Sequence, residues 1–278
     1  AHFNPLTHLS TSSGVKTTLS GCYIRIFNMT KQYVWLVRYG KTEFPLVEYE
    51  GPYDSDIDPM EGIEHAKAIG GRIASSTSDK LPSKIYCSPF LRTIHTASYI
   101  RDALSSDMDI QVEDGLYEWL TPSLLIDRSG ARTYPKTVSE LKQRFKNIDE
   151  IYKSCRVIQE TEFPEDENAL MDRCQNTFDG ILCHANGENL VIVAHAPCVQ
   201  ALAFAMEDNV EKTEDSKLGK WPLGGVTRFS RDVVSSDKIG STSVSYGTWQ
   251  IDFYGSTDHM PGDYKNGLGL WSLPCFDS

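Results

Sequence analysis

The chain has 278 residues, 40% of them hydrophobic, which is enough for one large α/β domain with a full core. Its net charge of −11 is uneven: residues 1–42 hold Lys16, Arg25, Lys31, Arg38 and Lys41 and no acid, leaving 22 basic against 38 acidic residues beyond them. So acidic a body repels nucleic-acid backbones and anionic membranes, and it points to small anions captured in a local pocket. The longest apolar run, Leu190 to Met206, is interrupted by His195, Pro197 and Gln200 and reads as a strand followed by a helix, not as a membrane span. The seven cysteines (Cys22, Cys87, Cys155, Cys174, Cys183, Cys198, Cys275) are odd in number and form no C-x-x-C pair. That argues against a disulfide framework or a zinc site and favours a reducing compartment, cytoplasmic or organellar.

Residues 1–28 are rich in Ser and Thr, free of acids and without periodicity, a composition that organelle transit peptides share. They are expected to be an N-terminal extension, either a processed targeting remnant or an ordinary extension, with a single domain over 29–278. Gln32 to Val37 is a β-branched and aromatic run that predicts a buried strand, and Arg38 to Thr42 is the loop it feeds. Asp58-Pro59-Met60-Glu61 is a capping signal for a helix over about 59–75. Lys84 to Cys87 predicts a short strand. Ser88-Pro89 then opens a helix with Ile94, Ala97, Ile100 and Leu104 on one face.

A short strand near Ile110 to Val112 leads into Gly115-Leu116-Tyr117-Glu118-Trp119. Thr137-Val138-Ser139-Glu140 is a capping box for a helix expected to reach about Tyr152, and 165–185 predicts another with Met171, Cys174, Phe178 and Ile181 inward. Asn189 to Ala194 is an apolar strand ending at His195, with a helix over 197–206. Beyond Asp208 the pattern weakens, and Val226 to Phe229 and Trp249 to Phe253 read as edge strands or a hairpin. Strands alternating with helices imply a three-layer α/β/α sandwich on a mostly parallel sheet, whose ligands bind at the carboxyl ends of the strands. Arg38, Arg92 and His195 all follow strand ends.

Each of these residues also has an ordinary reading. Arg38 offers a planar fork for phosphate and Gly40 permits close backbone approach, yet an arginine after a strand is commonly a surface residue. Arg92, in the first turn of its helix, adds charge to an anion-favouring N-terminus, or simply faces solvent. His195 sits where a helix starts, a position suited to an anion, although a lone histidine after a strand is usually packed. Glu118 is either a loop carboxylate or an acid whose pKa Tyr117 and Trp119 raise by desolvation. His65, His95 and His184 look like plain helix residues, and no ligand spacing predicts a metal or other cofactor.

Taken together, Arg38-x-Gly40, Ser88-Pro89-x-x-Arg92-x-x-x-Thr96-Ala97, Glu118 and Val193-Ala194-His195 resemble, in order and context, the motifs of the histidine phosphatase (phosphoglycerate-mutase-like) superfamily over about residues 32–206. Ile85 to Pro89, Gly115 to Trp119 and Val193 to Ala196 are similar to the phosphatase domains of the suppressor-of-T-cell-receptor-signalling proteins, whereas Thr42 is more like the mutase and small-molecule phosphatase pattern. The resemblance implies that Arg38, Thr42, Arg92 and His195 bind the transferred phosphoryl group and that Glu118 protonates the leaving oxygen. It also places Tyr39 where the family keeps its nucleophilic histidine.

An imidazole ionises near 6.5 and a phenol near 10, so a phenol is a poor nucleophile at neutral pH. Two readings follow from the resemblance. In one, the chain is a pseudoenzyme that binds a small phosphorylated ligand or phosphate, or serves as a subunit of a larger assembly. In the other, it is a phosphomonoesterase or mutase carrying an inactivating change. Residues introduced to trap a substrate are normally small and tyrosine is bulky, which favours the first. A third reading has Tyr39 itself accept the phosphoryl group.

Overall fold

The computed structural model describes residues 15–20, 23–43, 54–120, 136–159, 162–207, 220–238 and 241–271; for 15–27 and 236–242 only the backbone is described. Residues 1–14 of the expected extension, and Cys22 and Cys275, lie outside the described residues. In chain order the elements are β1 (Val15–Ser20), β2 (Tyr23–Arg38), α1 (Glu61–Ala74), β3 (Lys84–Cys87), α2 (Leu91–Ala103), β4 (Ile110–Val112) and α3 (Val138–Arg144). They continue with α4 (Glu167–Ala185), β5 (Leu190–Ala194), α5 (Ala196–Met206), β6 (Val226–Lys238), β7 (Ser241–Tyr246) and β8 (Gln250–Ser256).

The sheet runs β4-β3-β5-β2-β6-β7, with β1 added to β2 and β8 to β6. Its β4-β3-β5-β2 part is parallel, as the strand–helix alternation requires. Everything added beyond β2 is antiparallel. Alternation along the parallel strands sorts side chains into two cores. Val34, Leu36, Tyr86 and Ile192 pack under α4 and α5, while Trp35, Val37, Ile85, Val191 and Val193 pack under α1 and α2. The result is the three-layer arrangement expected from the sequence.

Several boundaries differ from the sequence reading. The division expected after residue 28 falls inside β2, which runs unbroken from Tyr23 to Arg38 and is paired at its start with β1 and β6. The 226–229 segment pairs antiparallel with β8, as the hairpin reading allows, but β6 is no edge strand; it lies between β2 on one side and β7 and β8 on the other. The capping box at Thr137 and Glu140 forms in full, but its helix stops at Arg144. There the chain turns to lay Ile148 beside Ile110, with Ile110 N donating to Asn147 O and Asp149 N to Ile110 O. Edge pairing with β4 thus replaces further helix. At α1, Asp58 Oδ1 accepts from the Met60 and Glu61 amides, so Asp58 caps the start as expected while the regular helix begins at Glu61. Among the described residues no helix is long and apolar enough to cross a membrane.

Candidate functional site

Parallel pairing sets Arg38 beside Ala194 at the carboxyl ends of β2 and β5, so Tyr39 and His195 leave the sheet side by side. Their rings meet edge to face, with centroids 5.5 Å apart. The Arg92 guanidinium lies 5.1 Å from the Tyr39 ring centre and 4.7 Å from that of Phe90. Tyr39 is 4% exposed, Arg92 and His195 0%, and Glu118 5%, so the cluster is almost wholly buried, with Tyr39 and Glu118 keeping a little exposure.

Inside it, Glu118 Oε2 is 3.0 Å from His195 Nδ1 and 3.4 Å from Arg92 Nη2, and Glu118 Oε1 accepts from Trp119 N at 2.9 Å. Arg92 Nη2 is also 3.2 Å from His195 Nδ1, but that nitrogen cannot accept from Arg92 and donate to Glu118 at once. An unprotonated Nδ1 would set its lone pair against the carboxylate, so we assign the proton to Nδ1, donated to Glu118. Ser88 Oγ then donates to Nε2 at 2.8 Å.

The ionisation of this pair corrects one expectation. Burial does act to raise the Glu118 pKa, as its aromatic neighbours suggested, but His195, Arg92 and the Trp119 amide outweigh it and hold the carboxyl down at about 2. Burial also disfavours imidazolium, and with Arg92 nearby it keeps His195 at about 4 despite the pull of Glu118. At neutral pH the cluster therefore holds an arginine cation, a carboxylate and a neutral imidazole.

The Glu118 segment is held from behind by α4. Arg173 is buried in a two-pronged pair with Glu165, and its Nη1 donates to Gly115 O (2.8 Å) and Tyr117 O (3.0 Å). Trp119 Nε1 donates to Glu165 O at 3.1 Å. Gly115 packs so closely on α4 that a Cβ there would lie 2.0 Å from Thr177 Oγ1.

Arg38 takes a different course from Arg92. Its Nη1 donates to Trp221 O at 2.7 Å and to Gly269 O at 2.5 Å, and its guanidinium carbon lies 6.0 Å from the Tyr39 ring centre. Desolvation lowers its pKa, with Tyr39 and Glu118 opposing. Gly40 does allow a close approach, but to α1: a Cβ there would come within 2.8 Å of His65 Cβ and 3.1 Å of Gly62 O. Thr42 lies farther along the loop, half-buried in a single antiparallel bridge to Ile57. Of the residues singled out from sequence, Tyr39, Arg92, Glu118 and His195 thus form the cluster, Arg38 borders it, and Thr42 sits on the exit loop.

Sequence reading missed three contributions. Ser88 was read as the start of a helix and as part of the motif leading to Arg92, but was given no role of its own, although its place at the end of β3 was the signal available. The carbonyls of Trp221 and Gly269 carry no side-chain signal, and Arg173 and Glu165 were not singled out in the helix expected over 165–185. A separate surface hollow of about 290 Å³, lined by residues that include His95, Tyr99, Asp102, Arg144 and Lys146, shares none of these groups. Among the described residues no cluster of three or more His, Cys, Asp or Glu side chains could hold a metal.

The family model of the histidine phosphatase superfamily (branch 1) matches residues 34–231, most of the chain and every residue of the cluster. The chain belongs to that superfamily. It is 28% identical over 152 residues to the ubiquitin-associated and SH3 domain-containing protein B of Mus musculus, and equally to that of Homo sapiens. These matches take in 52% of this chain but only 23% and 22% of those proteins, so the chain spans about a quarter of their length. In structure it is similar to the ecdysone phosphate phosphatase of Bombix mori in complex with tungstate (TM-score 0.57, 19% identity, 79% of this chain and 91% of that one). It is also similar to the phosphoglycerate mutase of Bacillus anthracis (TM-score 0.51, 16% identity, 83% and 96%). At such identities the likeness establishes the phosphoglycerate-mutase-like fold, a mixed α/β sheet flanked by helices.

Proposed function

We propose that this superfamily member is catalytically silent, and that its basic pocket is kept for holding a phosphate-type anion or for a structural role within a larger assembly. The observation that carries this reading is the placement of Tyr39: its ring packs against His195 and beneath Arg92, in the position the family's motif gives to the nucleophile. A phenol there is a weak nucleophile at neutral pH. The state of Glu118 supports the same reading, because an acid held at about 2 is ionised at neutral pH and has no proton for a leaving oxygen.

The runner-up, a phosphomonoesterase or mutase silenced at one position, draws on the intact Arg92–Glu118–His195 constellation. One assay separates the two. On an aryl phosphate the chain as it stands should show no turnover above the uncatalysed rate. A Tyr39→His form that also stays inert indicates a pocket long given over to other work, whereas strong activity in that form supports a working site silenced by one residue. Hydrolysis by the unaltered chain, with phosphate trapped on Tyr39, would overturn the proposal.

A further inference from the structure

The C-terminal segment 267–271 crosses back over the end of β2 as a strap. Leu223 N donates to Leu268 O at 3.0 Å, and Trp221 and Trp271 exchange backbone bonds at 2.6 and 3.1 Å. Gly267 and Gly269 take positive φ, +77° and +65°, which lets the strap bend where a side chain would be strained. The Trp271 ring stands edge-on to Trp119, next to Glu118, with centroids 6.3 Å apart, while Leu268 and Leu270 are exposed. The strap is thus anchored chiefly by its backbone and by one ring.

Its position decides how Arg38 is aimed. In a guanidinium the Nε–H and one Nη2–H point the same way and form the parallel fork that grips carboxylate or phosphate, while Nη1 lies on the other side. Arg38 commits Nη1 to two carbonyls, those of Trp221 and of Gly269 on the strap. Among the described residues no acceptor meets Nε, although that atom is buried. A buried donor left without an acceptor is uncommon in a native fold and calls for a reason.

We infer that the strap is a positioning clamp: by holding Nη1 through the Gly269 carbonyl, it presents the Nε–Nη2 edge of Arg38 to an oxyanion such as phosphate. The unmet Nε donor marks where one anion oxygen sits. The Tyr39 ring, centred 6.0 Å from the guanidinium carbon, borders that anion position. Gly269 and Trp271 are positioning residues, since they act on the anion only through Arg38. The inference rests on the anion pocket proposed above and adds to it the group that aims its arginine.

The test follows the Arg38 side chain by nuclear magnetic resonance in the full chain labelled with ¹⁵N, its Nε–H signal assigned by its loss in Arg38→Lys. Titrated inorganic phosphate should move that signal in a saturable way and slow its exchange with water. Trp271→Ala, which removes the anchoring ring but leaves Arg38 in place, should weaken phosphate binding at least tenfold and blunt the response of Nε. Leu270→Ala, on the exposed side of the strap, should change neither. If Trp271→Ala fails to fold, Gly269→Ala serves instead: its positive φ and a Cβ 3.2 Å from Leu223 Cβ displace the strap locally. Unchanged phosphate affinity in the strap variant, or an Nε signal that ignores phosphate, would overturn the clamp. Turnover of aryl phosphate by the unaltered chain would instead sink the silent reading and leave the clamp standing.

Discussion

Glu118 Oε2 lies 3.0 Å from His195 Nδ1 and 3.4 Å from Arg92 Nη2, so one carboxylate oxygen answers both an imidazole and a guanidinium that solvent cannot reach. Glu118 is the carboxylate in ion-pair contact with the buried Arg92, and Asp54 also interacts with it electrostatically. Glu118→Gln keeps the shape and can still accept from the Trp119 amide, but it takes the paired charge away from the arginine. Losing one partner of a buried ion pair costs about 3–5 kcal/mol, and we expect a loss of that size in urea unfolding. A change below about 1 kcal/mol would mean that Arg92 is compensated elsewhere.

Three histidines set the acid limit of the fold. His65, His195 and His259 are each held below the ordinary imidazole range, first of all by burial, the last two at about 4. A group whose folded pKa is depressed gives stability that is complete above its unfolded value and fades as pH falls through the folded value, because the unfolded chain takes up the proton first. Stability should therefore be flat near neutrality and decline from about pH 6.5, the unperturbed histidine value, toward pH 4. The urea midpoint measured across that range checks the decline. His259→Gln should make it shallower, and an unchanged slope would exclude His259 as a contributor.

Gly115 is fixed by space and not by dihedral angle. With an added Cβ 2.0 Å from Thr177 Oγ1 and 2.7 Å from its Cγ2, Gly115→Ala must push the Glu118 segment off α4. Overpacking of this kind costs about 1–3 kcal/mol. Pairing it with Thr177→Ala should return part of that loss, a coupling that a double-mutant cycle reads directly. Strict additivity of the two changes would show that the segment does not rest on Thr177.

Much of this was legible in the sequence because the governing patterns are local. The apolar runs of β2 and β5, the caps at Asp58 and Thr137, and the arginine in the first turn of α2 all declare themselves within a few residues. What escaped depends on distant partners. The start of β2 reads as part of an extension because what makes it a strand is backbone pairing, in part with β6 far along the chain. The helix after Thr137 was overextended because the bridge between Ile148 and Ile110 joins residues 38 apart. The Glu118 carboxyl was expected to rise because its flanking aromatics are adjacent in sequence, while Arg92 and His195, which pull it down, are 26 and 77 residues away.

The two-sided burial of β2 has a consequence for how such a chain can change. Val34 and Leu36 belong to one core and Trp35 and Val37 to the other, so a slip of one residue against β5 would trade the two cores' contents and bring Val37 or Tyr39 to the rim in place of Arg38. Packing on both faces forbids that slip. The address of residue 39 is therefore written by hydrophobic residues that never touch a ligand, and selection on foldability alone keeps that address open. A histidine or a tyrosine can be exchanged there while the rest of the molecule stays in register.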